Sequence, residues 1–546
     1  MRPPGGVPTG HLDTYAGDLL PPRELWPVFD YAAEPLRGYP DRMNGADLLD
    51  WAIAAGAGPK PVFFFEDKAW TYDHLRDRVD RIANVLVTRW GLVPGNRVLL
   101  RSPNTPMVAA CWLAVLKAGG ICVTTMPLLR AREIAYILDK ARVRFALCEA
   151  TLAEEMELAR PQAASLERVG YFTPLCNGSH PDADFDRLVE AAPASAGTVA
   201  TAADDIALIT FTSGTTGNPK GAAHFHRDIF AITECWPRVY TVQPDEVVCG
   251  SPSLAFTYGL AAFLIYPIRF KATAALIAKP TPDSILAAVQ RNRVTSVYAV
   301  PTMFTAMLAE IGKYDVSSLR KCSSAGEHLR LKLWEDWRDK TGIRIVNGLG
   351  ASELLTHVIS EFEAVERVGS MGLAVPGYTA VVMDDEGNPL PPGNRGRLAV
   401  RGPTGCRYID DVDRQKIAVQ NGWNMTGDVA EQDAEGWFWY VDRADDMIIS
   451  SGYNISPLEV ERCVLEHPKV AECAVVGVPH ESRGNVVRAC VVLTAGAVGD
   501  EALARELQEF VKSRIAPYKY PREVKFLDEL PKTATGKIQR YRLRQL

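Results

Sequence analysis

The run from Ile206 to Gly221 holds the densest set of groups that could do chemistry. A hydrophobic, strand-like stretch, Ile206-Ala207-Leu208-Ile209-Thr210-Phe211, leads into Thr212-Ser213-Gly214-Thr215-Thr216-Gly217-Asn218-Pro219-Lys220-Gly221. Glycines let backbone N–H groups turn toward an anion, hydroxyls add donors, and lysine adds a point charge. The Walker spacing is absent, and on composition alone such a loop is an ordinary turn as readily as a phosphate cradle. Four more segments follow in order: Leu349-Gly350-Ala351-Ser352-Glu353, Trp423-Asn424-Met425-Thr426-Gly427-Asp428, Asp442-Arg443-Ala444-Asp445-Asp446-Met447-Ile448 and Pro531-Lys532-Thr533-Ala534-Thr535-Gly536-Lys537. Each supplies a carboxylate or a cation, and each alone could equally be a solvated surface charge.

Taken together, the five segments resemble the adenylate-forming superfamily of acyl-CoA synthetases, luciferases and peptide-synthetase adenylation domains, over nearly the whole chain. The resemblance implies attack of a carboxylate on the α-phosphate of ATP, giving an acyl-adenylate and pyrophosphate. Two anions must meet, so cationic clamping carries much of the barrier reduction. By the same resemblance, Thr212, Ser213, Gly214, Thr215, Thr216, Gly217 and Lys220 hold the phosphates, with Thr216 near the α-phosphate. Glu353 binds Mg²⁺, a hard cation suited to carboxylate oxygen. Asp428 accepts from the ribose hydroxyls with Arg443 in support, and Lys537 reaches both the carboxylate and the α-phosphate. Lys537, Thr216 and Glu353 are thus the implied catalytic set. Gly326, Glu327, Asn347, Gly348, Leu349, Gly350 and Ser352 complete the nucleotide site, and Asp445 is the implied hinge. Leu349 departs from the aromatic residue that often stacks on adenine. Gly396-Arg397-Leu398 replaces a Gly-Glu-Leu strand, which is read as a structural change.

Three acceptors are open: CoA, a carrier-protein arm, or oxidation to light. Ser451, Gly452 and Tyr453, with Arg483, Tyr520 and Arg522, resemble the CoA-binding pattern of medium-chain and benzoate-type ligases, although Asn454 stands where medium-chain ligases carry Arg. No carrier domain follows Leu546, which makes a peptide-synthetase module the weaker expectation. The resemblance places one wall of the acyl pocket at Phe256, Tyr258 and Gly259 and another at Ser324, Ala325 and Gly326. No Asp in the first wall would pair an α-ammonium, and an unpaired ammonium in an apolar pocket is costly. Phe256 and Tyr258 suit a flat aromatic ligand or simple core packing. Thr257, Tyr258 and Ser324 are the expected partners of an ortho amino or hydroxyl group. With Asp13-Thr14-Tyr15 and Leu20-Pro21-Pro22, these stretches resemble benzoate- and 2-aminobenzoate-CoA ligases, with a medium-chain ligase as the enzyme rival. A catalytically dead adenylate-binding protein is the rival of another class, and the presence of Lys537 and Glu353 argues against it.

The elements that must carry these residues follow from periodicity. Apolar residues recur at helical spacing through Leu75, Val79, Ile82 and Leu86, ahead of the strand-like Arg97-Val98-Leu99-Leu100, and the rhythm returns after Arg132 and after Pro282. Strands alternating with helices predict an α/β fold of parallel, helix-covered sheets. Turn signals crowd residues 370–440 and predict an antiparallel β-subdomain. Residues 1–442 are expected as a large N-terminal domain and 443–546 as a small, mobile α+β domain; cores seldom exceed ~300 residues. With 60 Lys+Arg against 66 Asp+Glu, a formal charge of −6, no basic footprint for nucleic acid exists. No apolar run is long enough for a membrane span, and no secretory signal opens the chain. Eleven cysteines lack metal spacing and read as the buried thiols of a cytoplasmic protein, monomer or homodimer.

Overall fold

The computed structural model describes residues 7–32, 34–212, 218–444, 447–531 and 538–546. Two helix-covered sheets form its larger part. The six-stranded sheet is ordered Arg168–Phe172, Phe145–Glu149, Arg97–Arg101, Ile121–Thr125, Ile206–Thr212 and Lys220–Phe225, parallel except for the last strand. Its central strands are buried end to end, and both faces are therefore apolar rather than alternating. The nine-stranded sheet centres on the parallel strands Thr273–Ala275, Val247–Gly250, Ser296–Ala299, Lys321–Ser324 and Ile345–Gly350. Helices start where hydroxyl caps are available: Thr71 accepts from His74 N at 3.1 Å, and Thr281 caps a helix with Pro282 in its first turn.

The antiparallel sheet is present, with altered limits. It begins at Thr379–Met383 and ends with Phe438–Arg443. Leu373–Ala374 instead extends the edge of the nine-stranded sheet, where Gly372 (φ 107°) lies so close to the Ser360 backbone that no side chain would fit. Arg443, expected to open the C-terminal unit, pairs opposite Asp428 in the antiparallel sheet. Beyond it, Ile448–Ser450, Tyr453–Ile455, Val470–His480, Gly484–Leu493 and Glu523–Phe526 form a five-stranded sheet flanked by helices Pro457–Leu465 and Glu501–Arg514. Residues 7–32 dock on the body through short turns: Asp13 binds Arg97 and Asn96, and Trp26 packs on Phe225. The apolar segment around Leu254 to Ile268 folds as buried helical turns. Among the described residues no helix is long and apolar enough to cross a membrane. All eleven cysteines are free and buried.

Candidate active site

The C-terminal ends of the two large sheets face one another, and this brings distant motifs together. Lys220 opens the strand paired with Thr212, whereas Glu353 sits on the turn Ser352–Leu354 that follows Ile345–Gly350. Lys220 Nζ lies 3.1 Å from Glu353 Oε1, and Tyr408 donates its hydroxyl to the same oxygen. Burial pushes the Glu353 carboxyl up, but the Lys220 charge and the Tyr408 hydrogen bond outweigh it and hold the group at about 2. The turn itself is pinned from beneath, where His224 Nε2 donates to the Ser352 carbonyl at 2.8 Å.

Asp428 and Arg443 face each other across adjacent strands, Arg443 Nη1 donating to Asp428 Oδ1 at 3.0 Å. Gly427 (φ 80°) makes room for that guanidinium: a Cβ there would meet Arg443 Nη2 at 2.7 Å. Asn347 is fixed through its backbone, its N–H donating to Glu361 at 3.0 Å. Glu327 accepts from Thr302 N at 3.1 Å, and burial raises its carboxyl. Ser213, Gly214, Thr215, Thr216, Gly217, Asp445 and Lys537 lie outside the described residues.

A cavity of ≈ 1100 Å³ is lined by Thr212, Gly326, Gly350 and Ser352 from the nucleotide set, by Phe256, Tyr258 and Ala325 from the acyl set, and by Ser451, Gly452, Tyr453 and Arg483 from the CoA set. Its inner wall is aromatic. His357 lies 4.6 Å from Trp236 with rings tilted by 32°, and Tyr258 meets His357 edge-on at 5.2 Å. Tyr298 stands edge-on to Tyr258 at 6.4 Å. Burial lowers His357 to about 3, which keeps the imidazole neutral in this wall. Beside these rings Tyr266 Oη and Thr356 Oγ1 pair at 2.8 Å, and both residues line the cavity.

Several expected pocket residues stand elsewhere. Ser324 is buried and Gly259 is packed against the Ser253 carbonyl; neither lines the cavity. Ser324 lies in a strand buried along Cys322–Ser324, and backbone crowding encloses Gly259, where a Cβ would sit 2.2 Å from that oxygen. Tyr258 donates its hydroxyl to the Ser323 carbonyl at 3.2 Å. Phe256 lines the cavity with Tyr258. It turns toward Tyr453 of the C-terminal unit, with ring centroids 6.3 Å apart. Trp236, Tyr266, Tyr298, Thr356 and His357 escaped the sequence analysis. Thr356 and His357 could have been found just beyond Glu353; Trp236 has no motif near it.

On the CoA side, Ser451 (φ 49°) donates its N–H to the Arg483 carbonyl at 3.1 Å, which locks the two loops together. Arg522 stacks on Tyr520 at 4.6 Å, outside the cavity lining; burial and the like charge of Arg483 pull its guanidinium down. The flanks of the C-terminal lysine motif pack within the C-terminal unit and do not line the cavity. Gln539 N donates to the Pro531 carbonyl at 2.8 Å, and Leu530 and Ile538 pack with Val476 and Val486.

Among the described residues no group of three or more His, Cys, Asp or Glu is placed to hold a metal. One ionised carboxylate beside bound phosphates is nevertheless a usual magnesium arrangement, and Glu353 fits it.

Residues 50–407 match the family model described as AMP-binding enzyme, and residues 459–537 match AMP-binding enzyme C-terminal domain. The chain is 34% identical over 518 residues to the benzoate–CoA ligase of Thauera aromatica, covering 92% of this chain and 96% of that protein. It is 33% identical over 530 residues to the mitochondrial acyl-coenzyme A synthetase ACSM5 of Homo sapiens, covering 92% and 90%. The crystal structure of the anthranilate CoA ligase AuaEII with anthranoyl-AMP matches at TM-score 0.72 and 31% identity, covering 93% of this chain and 98% of that one.

Proposed function

The chain belongs to the AMP-binding enzyme family, as an AMP-forming acid–CoA ligase using ATP and CoA, and from that premise we propose that its carboxylate is an aryl acid such as benzoate or 2-aminobenzoate. The observation that carries this is the ring wall of Trp236, Tyr258, Tyr298 and His357. Offset and edge-on ring contacts contribute about 0.5–1.5 kcal/mol each beyond burial. Two such contacts favour a planar ring over an alkyl chain by at most ~3 kcal/mol, or roughly 150-fold. The relatives include both a benzoate–CoA ligase and an acyl-coenzyme A synthetase at similar identity, and the ring wall favours the aryl acid.

In the first step the segment from Thr212 to Lys220 cradles the ATP phosphates, and Lys537 neutralises charge between the carboxylate and the α-phosphate. Asp428, steadied by Arg443, accepts from the ribose. Glu353 would hold Mg²⁺, which would screen phosphate charge when bound. In the second step the CoA thiol reaches the acyl-adenylate along Ser451, Gly452 and Tyr453, with Arg483 and Arg522 meeting the CoA phosphates. Lys537 serves the first step and the Ser451–Tyr453 loop the second. The C-terminal unit, residues 444–546, therefore turns about Asp445 between them. The packing of the motif's flanks outside the cavity lining supports that turn.

The test is CoA-thioester formation across benzoate, 2-aminobenzoate, hydroxybenzoates, hexanoate and octanoate. At least one benzoate should show the highest kcat/KM. A higher value for hexanoate or octanoate than for every benzoate would replace the aryl acid by a medium-chain substrate.

A further inference from the structure

Lys519 is a buried lysine that the chemistry above does not use. Its side chain is 3% exposed, and its ammonium lies 2.5 Å from Glu459 Oε1 and 2.5 Å from Glu133 Oε1. The two carboxylates have different origins. Glu459 is on helix Pro457–Leu465, in the same C-terminal unit as Lys519; Glu133 is on helix Ala131–Lys140, which covers the six-stranded sheet.

We propose that Lys519 docks reversibly on Glu133, and that this contact holds the C-terminal unit in the position that forms the thioester. The proposal rests on the two-step turn described above. An isolated ammonium in a protein interior is strongly disfavoured, so a lysine that is alternately docked and released needs a counter-charge that moves with it. Glu459 is that counter-charge. Glu133 keeps a second use when Lys519 leaves: its other oxygen accepts from Arg130 N at 2.9 Å and caps its own helix. One carboxylate thus travels with the lysine and the other waits at the dock.

The dock also reaches the substrate path. Tyr518, next to Lys519 in the chain, stacks on Tyr453 at 4.2 Å with rings 21° apart, and Tyr453 faces Phe256. Seating Lys519 therefore seats Tyr453 in the cavity wall. The outer seam, Arg132 to Glu466, is 57% and 40% exposed at its two side chains and adds little. Glu133 and Lys519 are positioning residues that act through Tyr518 and Tyr453.

The test separates the half-reactions in the full-length enzyme. Adenylation is read as pyrophosphate release from ATP and the best carboxylate; thioester formation is read from supplied acyl-adenylate and CoA. Glu133→Gln retains an oxygen for the helix cap, so its thermal midpoint should stay near wild type. It should slow thioester formation at least about tenfold, as expected for breaking a buried ion pair, and leave adenylation within about twofold. Lys519→Met should slow the same step further, because it leaves two carboxylates facing each other. The double variant Glu133→Gln/Lys519→Met should form thioester faster than Lys519→Met alone, since that repulsion is gone. Equal slowing of both half-reactions, no slowing of either, or simple additivity in the double variant would overturn the dock while leaving the ligase assignment intact. A wild-type enzyme that releases pyrophosphate but never forms a CoA thioester would overturn the two-step premise and the dock with it.

Discussion

Two arrangements at the site, the Tyr266–Thr356 hydroxyl pair and the ionised Glu353, each yield a measurement. Tyr266 and Thr356 bring two O–H groups to one shared hydrogen bond, which leaves one donor with no acceptor among the described residues. A ring hydroxyl on the substrate would complete the pair, and a site built around such a group rejects the analogue lacking it. Thr356→Val should lower kcat/KM for the preferred hydroxybenzoate by about tenfold and change that for benzoate by no more than about twofold. A uniform change across both substrates would show that the pair only packs. Glu353 gives a pH dependence. Its folded value of about 2 lies below the ordinary 4.5, so the stabilisation is fully present above about pH 4.5 and is lost as pH falls toward 2. In thermal melts, the midpoint difference between wild type and Glu353→Gln should be flat from about pH 5 to 7 and shift steadily in the variant's favour below about 4.5.

At the scale of strands and helices, Gly348 shows how one backbone position shapes a pocket on the neighbouring strand. A Cβ on Gly348 would meet His357 Cδ2 at 2.5 Å, so the imidazole lies flat only because that position is bare. Gly348→Ala should push the ring toward the cavity and cut kcat/KM for benzoate by about tenfold, with a stability loss of about 1–3 kcal/mol from overpacking. Unchanged turnover would mean the ring has room to move aside. This pairing was not legible in the sequence, although much else was. Helices and strands with strong periodicity stand where expected, as at Tyr72–Asn84, Arg97–Arg101 and Pro282–Asn292. The motif residues meet in two pairs, Lys220 with Glu353 and Asp428 with Arg443. Short edge pairings such as Leu373–Ala374 carry too few residues to signal a register. Trp236 and Tyr266 were invisible for another reason: an apolar aromatic reads identically whether it fills a core or lines a cavity, and only the fold of the segment around residues 251–270 decides which.

Over the whole molecule, the two large sheets supply one side of the cavity and the C-terminal unit supplies Ser451, Gly452, Tyr453 and Arg483 to the other. Under the proposed turn of the C-terminal unit, the sheet end of the cavity would stay constant and the other end would change. The same division bears on the eleven buried cysteines. Burial pushes every one of their thiols up, several to about 12, so none carries appreciable thiolate at neutral pH. A colorimetric disulfide reagent should titrate essentially no thiol in the native enzyme and eleven after unfolding; fast reaction of even one native thiol would contradict the packing. Thiolate, not thiol, is the nucleophile in disulfide exchange. None of the cysteines lines the cavity. An enzyme of this design handles a thiol cosubstrate without offering it a protein partner for a mixed disulfide, and its activity should be indifferent to the redox state of its surroundings while CoA itself stays reduced.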